Sequence, residues 1–324
     1  MQQEREGMMT MTKIIDFLKK SSDARNYSIG IFAFLVIFLL AILTQDGTPY
    51  NRTALDLGFA EIQWYAVFIL TGLSIGAFLA YEEFKRLGWN TDILFDGLLW
   101  AVPLSIVGSR LYYVIFDPNP SYESFMDVIN ITNGGLSIHG AVITTVIFLI
   151  FFTKKKKISF WAMADIVAIG FLVGQIVGRW GNFMNREAYG PVIESPFILS
   201  ILPTFIKEQM TIAGVIHHPT FLYEGLWNFV GLVFFLVARR KRWFKVGDVL
   251  GLYLIWYGLG RGAIIEPLRT GGDPGDALRM FGLPTNIVLS LTLFMLGGIA
   301  VIVVKHYLIK DQKYYVDMLV PIHD

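Results

Sequence analysis

Long uninterrupted blocks of apolar residues constrain the fold of this chain more than any other feature. A helix that crosses the hydrocarbon core of a bilayer needs about 20 mostly apolar residues. Blocks near this length lie at 28–44, 64–82, 96–116, 136–152, 161–178, 223–238, 248–265 and 284–304. Charged residues make up only 16% of the chain. We therefore predict an all-α, polytopic integral membrane helical bundle of about eight transmembrane helices, without a separate soluble domain.

Basic residues recur at alternate ends of these blocks. They stand before the first block and after the second, fourth, sixth and eighth, as Lys13, Lys19, Lys20, Arg25, Lys85, Arg86, Lys154 to Lys157, Arg239, Arg240, Lys241, Arg242, Lys305 and Lys310. All of these segments share one side if every block crosses the membrane. Because cytoplasmic loops are enriched in Lys and Arg, we expect both termini in the cytoplasm. The external loops are then 45–63, 117–135, 179–222 and 266–283.

Composition limits the chemistry of the chain. It has no cysteine, so a disulfide, a thiolate metal site and a cysteine nucleophile are all excluded. A net charge of +1 gives no reason to expect a nucleic-acid partner. The polar N-terminus lacks the cleavage pattern of a signal peptide. We interpret the first block as a retained anchor, with cleavage near Ala41 as the alternative.

Several ionisable residues lie within the apolar blocks or at their ends, where a central arginine costs roughly 2.5–3.5 kcal/mol. They are Arg110, His139, Asp165, Arg179, Glu224, Arg261 and Glu266. Asp165 is near a cytoplasmic end, whereas most of the others are near external ends. We therefore expect them to converge near the outer leaflet.

The segment 132–140 combines a predicted turn with a histidine. Asn133-Gly134-Gly135 is typical of a turn with positive φ, and His139 follows it. A neutral imidazole here could act as a general base near neutral pH. The alternative, which this segment alone favours, is a histidine that serves only helix packing.

The segment 178–191 is the densest polar cluster at any helix end. It supplies Arg179, Asn182, Asn185, Glu187 and Gly190, among other residues. A guanidinium suits a phosphate at the membrane interface, and the amides could bond neutral substrate oxygens. The alternative is an interfacial loop anchored by Trp180 and Tyr189.

Two later segments add charged groups. In 217–224, the adjacent His217 and His218 lack the spacing of a helical metal pair, so we expect no metal; Glu224 could pair with an arginine. In 256–270, Arg261 and Glu266 are five residues apart, which places them on different faces of an ideal α-helix. A helical bulge, or a helix that ends before Glu266, would change this geometry.

Taken in order, these segments resemble prolipoprotein diacylglyceryl transferases. The resemblance runs from about Ile62 to Lys305 and includes Gln63-Trp64-Tyr65, Gly108-Ser-Arg110-Leu-Tyr-Tyr113, Gly134-Gly-Leu-Ser-Ile-His139-Gly140, Gly178-Arg179-Trp-Gly-Asn182-Phe-Met-Asn185-Arg-Glu187-Ala-Tyr-Gly190, His218-Pro-Thr-Phe-Leu-Tyr223-Glu224 and Arg261 through Arg269. It implies a seven-helix family core with an extra N-terminal span in this chain. The expected parts are an N-terminal segment with that span and an external loop (1–60), the transferase membrane domain (61–310) and a cytoplasmic tail (311–324).

The resemblance also implies the activity. The expected reaction transfers diacylglyceryl from phosphatidylglycerol to the lipobox cysteine thiol of prolipoprotein signal peptides, forming a thioether and releasing glycerol phosphate. This is the first step of bacterial lipoprotein maturation, in the cytoplasmic membrane, with the active site toward the outer leaflet. No cofactor or metal is implied.

The predicted site residues follow from the matched segments. The expected catalytic residues are His139, Arg179, Arg261 and Tyr65, and the expected substrate-binding residues are Arg110, Asn182, Asn185, Glu187, Gly190, Tyr223, Glu224 and Glu266. Two positions depart from the family. Its arginine and glutamate in the last motif are usually four apart, and Arg186 replaces a small residue.

Three other functions remain open from the residues themselves. A transporter also uses charges and glycines within spans, and a structural membrane protein would use them only to hold helices together. A different lipid-head-group transferase would normally need a nucleotide-linked donor and acidic metal ligands, which are not visible in the sequence.

Overall fold

Membrane-length helices dominate the structure, a computed structural model that describes residues 21–59, 61–117, 122, 124–131, 134–270, 279–280, 283–309 and 312–320. In these residues, eight helices are long and apolar enough to cross a membrane. They are α1 (Ser22–Leu43), α2 (Trp64–Arg86), α3 (Asp92–Phe116), α4 (Ile138–Lys156), α5 (Phe160–Asn185), α6 (Thr220–Ala238), α7 (Asp248–Arg269) and α8 (Ile287–Leu308). The predicted all-α membrane bundle is confirmed.

Short elements connect the spans. In the described residues, three two-stranded antiparallel sheets are formed by β1 (Thr53–Asp56) with β2 (Glu61–Gln63), β3 (Thr211–Ile212) with β4 (Val215–Ile216), and β5 (Arg279–Met280) with β6 (Leu283–Pro284). Short helices lie at Phe125–Ile129, Pro196–Ile201 and Thr204–Gln209, and a 3-10 turn lies at Tyr315–Met318.

Most of the helices extend beyond the apolar blocks, and α1 and α5 each begin after a capping serine. Ser21 and Ser159 cap α1 and α5 by accepting bonds from Ala24 N and Ala162 N. Such caps satisfy amides that have no partner within the helix. At the other end, α5 continues to Asn185, past the predicted boundary at 178. More than half of the polar segment 178–191 is therefore helical.

Helix α5 lies at the centre of the bundle. Its membrane segment is 56% buried, against 11% for α3 and for α8. Paired glycines bring α2 against it: a Cβ on Gly72 would lie 3.1 Å from Gly174 Cα, and one on Gly76 would lie 3.4 Å from Gly170 Cα. Small residues allow such close backbone approach in membranes, as the sequence predicted for Gly170 and Gly174.

The N-terminal helix α1 is anchored to the core at the end that we predict to be cytoplasmic. Asp23 forms ion pairs with Arg86 at 3.0 Å and with Arg240 at 3.1 Å. Arg240 also pairs with Glu83 at 2.5 Å. Burial alone would lower the pKa of Arg240, but its bonds to the carboxylates of Glu83 and Asp23 raise it by more. The pKa of Arg240 is therefore above its usual value.

The described part of the tail lies against the same end of the bundle. Tyr315 is 1% exposed, and its amide donates to Phe244 O at 3.0 Å. Val320 N donates to Arg86 O at 2.7 Å. Residues 312–320 are thus part of the folded bundle, while the domain boundaries at 60 and 310 remain predictions.

Candidate active site

One buried carboxylate joins two spans through their arginines. Glu224 on α6 accepts from Arg179 Nη2 of α5 at 2.5 Å and from Arg261 Nη1 of α7 at 3.0 Å. The Glu224 side chain is only 5% exposed. The prediction that Glu224 pairs with an arginine is confirmed. A buried carboxylate held by two guanidiniums fixes three helices at one point.

The five-residue spacing of Arg261 and Glu266 is accommodated by a π-helical turn. Residues Gly260–Ile265 form this turn within α7, and Arg261 Nη2 lies 3.1 Å from Glu266 Oε2. A π-helix bonds residues five apart, so it brings the two side chains onto one face. Of the two geometries considered from the sequence, the bulge is the one observed.

Arg269 completes the cluster, with its Nη1 3.6 Å from Glu266 Oε2. Sequence reasoning assigned it no role, although its i,i+3 spacing from Glu266 was the available signal. The cluster of Arg179, Arg261, Arg269, Glu224 and Glu266 therefore has three guanidiniums and two carboxylates, an excess of one positive charge. Such an excess among buried groups favours an anionic ligand.

The end of α5 orients Arg179 through a chain of side chains. Arg179 Nη1 donates to Asn182 Oδ1 at 3.1 Å, and Asn182 Nδ2 donates to Glu187 Oε1 at 2.7 Å. Asn185 Nδ2 reaches the same Glu187 oxygen at 3.4 Å. These groups bond each other here, which fixes the rotamer of Arg179. Their predicted contacts with substrate remain predictions.

Gly190 lies where two other segments approach closely. Its amide donates to His218 O at 2.9 Å, and a Cβ at this position would lie 2.9 Å from His218 Cβ and 3.2 Å from Leu268 O. Only glycine avoids that overlap. His218 Nδ1 lies 3.0 Å from Tyr223 Oη. Burial and the neighbouring His217 lower the pKa of His218.

Tyr65 lies beside the same helix end. A Cβ on Gly181 would be 3.2 Å from Tyr65 Cα, so a glycine in α5 lets the start of α2 approach. The Tyr65 side chain remains 37% exposed. The Tyr65 side chain is therefore accessible beside α5, the helix that carries Arg179.

His139 is not part of this network. It lies on the first turn of α4 and is exposed, and its ring stacks on Tyr112 at a centroid distance of 5.8 Å. Among the described residues it makes no hydrogen bond or ion pair. Gly134 and Gly135 do adopt the predicted positive φ, at 88° and 73°; Thr132 and Asn133 lie outside the described residues.

Arg110 and Asp165 are both engaged with backbone groups. Arg110 donates to the carbonyls of Asp127 and Val128 at 2.6 and 2.7 Å, so it holds the loop after α3. Asp165 accepts from Gly247 N and Leu250 N at 2.6 and 2.9 Å. It caps the start of α7, far along α5 from Arg179. The predicted substrate contact of Arg110 remains untested.

Comparison with known proteins identifies the family. The family model described as prolipoprotein diacylglyceryl transferase matches residues 52–304. Relatives named phosphatidylglycerol–prolipoprotein diacylglyceryl transferase in Bacillus cereus, Bacillus mycoides and Bacillus anthracis are each 43% identical over 265 residues, covering 82% of this chain and 96% of the relative. The chain belongs to the prolipoprotein diacylglyceryl transferase family. The resemblance inferred from the motifs is thus confirmed.

The matched region also locates the family core in this structure. It begins at residue 52, after α1 and before β1, and it contains α2 through α7 and most of α8. The diacylglyceryl transferase core therefore consists of seven spans, and α1 precedes it, as the resemblance implied. The arginine cluster lies entirely within the family core.

Proposed function

We propose that this chain transfers the diacylglyceryl group of phosphatidylglycerol to the lipobox cysteine of prolipoproteins, the first step of lipoprotein maturation. The observation that carries the proposal is the arginine cluster around Glu224, with its excess positive charge at the end of α5. An anionic phospholipid headgroup supplies the matching charge. The names of the relatives point to the same two substrates.

In the proposed reaction a carbon–sulfur bond replaces a carbon–oxygen bond. The substrate thiol loses its proton, its sulfur attacks the glyceryl carbon, and the carbon–oxygen bond to phosphate breaks. The products are a thioether-linked diacylglyceryl peptide and glycerol phosphate. The nucleophile belongs to the substrate, in accord with a chain that has no cysteine.

Arg179 and Arg261 are proposed to stabilise the departing phosphate. Negative charge grows on the phosphate oxygen as the bond breaks, and fixed donors in a site shielded from water act most strongly on such charge. Glu224 prevents the two guanidiniums from repelling each other when no lipid is bound. Arg179 is 22% exposed and Arg261 14%, so part of each remains open to a ligand.

His139 is proposed as the base or the group that positions the thiol. A free thiol has a pKa near 8.5, so only a few per cent is thiolate at neutral pH, and a base increases the reactive fraction. The exposed ring of His139 has nitrogens that bond no described residue, which leaves them available to a substrate. The other predicted site residues are proposed to position the lipid, the peptide or the arginines; they are Tyr65, Asn182, Asn185, Glu187, Gly190, Tyr223 and Glu266.

We further propose that the reaction takes place on the external side of the bacterial cytoplasmic membrane. The arginine cluster lies at the ends of α5, α6 and α7 opposite the basic segments 154–157 and 239–242. Cytoplasmic loops are the ones enriched in basic residues. The lipobox cysteine of a signal peptide that crosses the membrane would approach from the outer leaflet.

A lipid-transfer assay tests the proposal. A lipobox peptide and labelled phosphatidylglycerol are incubated in liposomes with wild type, Arg179→Ala and Arg25→Ala. Arg25 is exposed at the opposite end of the bundle, so its variant is a matched control. We expect the labelled thioether from wild type and Arg25→Ala, and a loss of about 100- to 1000-fold for Arg179→Ala.

Two outcomes would contradict the proposal. Folded wild type without product, beside an active reference transferase, would favour a transporter. Equal activity in Arg179→Ala and wild type would retain the reaction but remove Arg179 from it. A separate His139→Gln variant with full activity at neutral pH would remove only the proposed base.

A further inference from the structure

A second pair of arginines lines a cavity outside the cluster around Glu224. The cavity has a volume of about 270 Å³ and is lined by Arg52, Arg186, Tyr189, Ile212 and Ala213. Arg52 immediately precedes β1, and Arg186 immediately follows the end of α5 at Asn185. Both belong to the loops predicted to be external.

The positive charge of this cavity is not neutralised by the described residues. Arg52 is exposed and makes no side-chain hydrogen bond or ion pair to any of them. Arg186 donates one bond, from Nη2 to Thr211 O, while its buried Nε has no hydrogen-bond partner. The adjacent Glu187 instead accepts from Asn182 and Asn185. Both arginines line the cavity, and the Arg52 guanidinium and Arg186 Nη1 have no hydrogen-bond partner among the described residues.

The backbone on both sides of the cavity is held firmly. Arg52 O accepts from Trp64 N at 2.9 Å, which ties it to the start of α2. Arg186 has φ of 54°, in the left-handed region that ends α5. The Tyr189 ring packs edge-on against His217 at 4.8 Å. The backbone positions of the two arginines are thus set by separate elements of the fold, which reduces the ordering that is needed when a ligand binds.

The charge of the lining residues, more than the size of the cavity, indicates the kind of ligand. The volume of about 270 Å³ lies just below the roughly 300–1,000 Å³ of pockets that hold drug-sized ligands. Paired guanidiniums match the oxygens of a phosphate. A small phosphate-bearing group therefore fits better than an uncharged acyl chain.

We propose that Arg52 and Arg186 form a second anion site, which binds a phosphate group beside the transferase site. The phosphate can come from soluble glycerol phosphate or from the headgroup of an anionic lipid such as phosphatidylglycerol. Arg186 lies between Asn185 and Glu187, so a group bound here is next to the segment that orients Arg179. Only the use of this site as a station for substrate or product rests on the proposed function; the binding itself does not.

The test measures phosphate binding directly. Wild type, Arg52→Gln, Arg186→Gln and the double variant are placed in zwitterionic nanodiscs, with Arg25→Gln as the control. One arm titrates glycerol phosphate by calorimetry. The other replaces a fraction of the lipid by spin-labelled phosphatidylglycerol and measures the immobilised fraction. Transfer activity is recorded separately, so that a failure of the proposed reaction is distinguishable from a failure of this site.

We expect affinity to fall by about tenfold for each guanidinium removed, and to fall with added salt in the wild type. Loss in the calorimetric arm identifies a soluble phosphate as the ligand, and loss in the spin-label arm identifies the lipid headgroup. Unchanged binding in both arms would overturn the proposal. Because Arg52 has no described side-chain partner to lose, Arg52→Gln remains informative even where Arg186→Gln unfolds the protein.

Discussion

At the scale of single residues, the arginine cluster depends most on the carboxylate of Glu224. It lies between Arg179 and Arg261 and is 5% exposed. Removing one partner of a buried ion pair typically costs about 3–5 kcal/mol because the remaining charge is left without compensation. We therefore expect Glu224→Gln to lower the free energy of unfolding by several kcal/mol and to abolish transfer.

Thermal unfolding in detergent and the lipid-transfer assay measure both effects. Glu194→Gln is the matched control, since Glu194 is exposed and forms no ion pair with a described residue. A Glu224→Gln variant as stable and as active as the control would show that the two arginines do not depend on this carboxylate.

Residue types and spacing predicted part of this site, and the rest depends on distances between helices. The sequence identified Arg179, Glu224, Arg261 and Glu266 because charges within spans are costly. It could not show that Glu224 bridges two arginines, since the three lie on different helices. It also could not separate His139 from the cluster, because a chain position does not reveal which helices become neighbours.

At the scale of elements, the π-helical turn in α7 contains one residue more than an ordinary α-helical turn would. Ala263 is an exposed residue within it. Deleting Ala263 would leave Arg261 and the glutamate four apart, the spacing that an ordinary α-helix places on one face. We expect this deletion to keep the ion pair and activity close to that of wild type.

Insertion of one alanine after Ala263 is the contrasting variant. It separates the pair by six positions and turns Glu266 away from Arg261. We expect a loss of transfer of about 100- to 1000-fold, as for removal of an electrostatic stabiliser. Equal activity in the deletion and insertion variants would mean that the turn does not set the Arg261 position.

The extra helix α1 is connected to the site through aromatic packing. Phe38 lies 4.6 Å from Trp180 between ring centroids, and Trp180 adjoins Arg179 in the sequence. Phe38 also contacts Phe34 and Phe205, at 5.9 and 6.1 Å. Aromatic pairs contribute about 0.5–1.5 kcal/mol beyond the area that they bury. We expect Phe38→Ala to destabilise the protein by about 1–3 kcal/mol and to reduce transfer.

Phe32→Ala is the control on the same helix, because Phe32 is 69% exposed on the outside of the bundle. It should leave thermal unfolding and transfer unchanged. If both variants behave alike, α1 is only an anchor and does not support Trp180. The sequence could predict that α1 exists, but a helix outside the family core offers no motif from which its packing partner could be predicted.

At the scale of the whole molecule, hydrophobic length predicted the architecture and glycine spacing predicted part of its packing. Each apolar block became a helix, since backbone groups in a bilayer must bond within their own segment. The centre of the bundle was harder to predict, because every span is apolar on most faces. The burial of α5, at 56% of its membrane segment, depends on glycines that lie against α2.

The orientation of the bundle remains a prediction that this chain is well suited to test. It has no cysteine, so a single introduced thiol is the only target for a maleimide. Lys155 lies in the basic segment after α4, and Val215 lies in the β3–β4 hairpin; both are exposed. A membrane-impermeant maleimide applied to intact cells should label Val215→Cys, while Lys155→Cys should react only after permeabilisation.

Since the arginine cluster and the cavity with Arg52 and Arg186 are on the Val215 side of the bundle, the reverse pattern would place both sites in the cytoplasm. It would thereby contradict a reaction in which a translocated lipobox cysteine meets the outer leaflet.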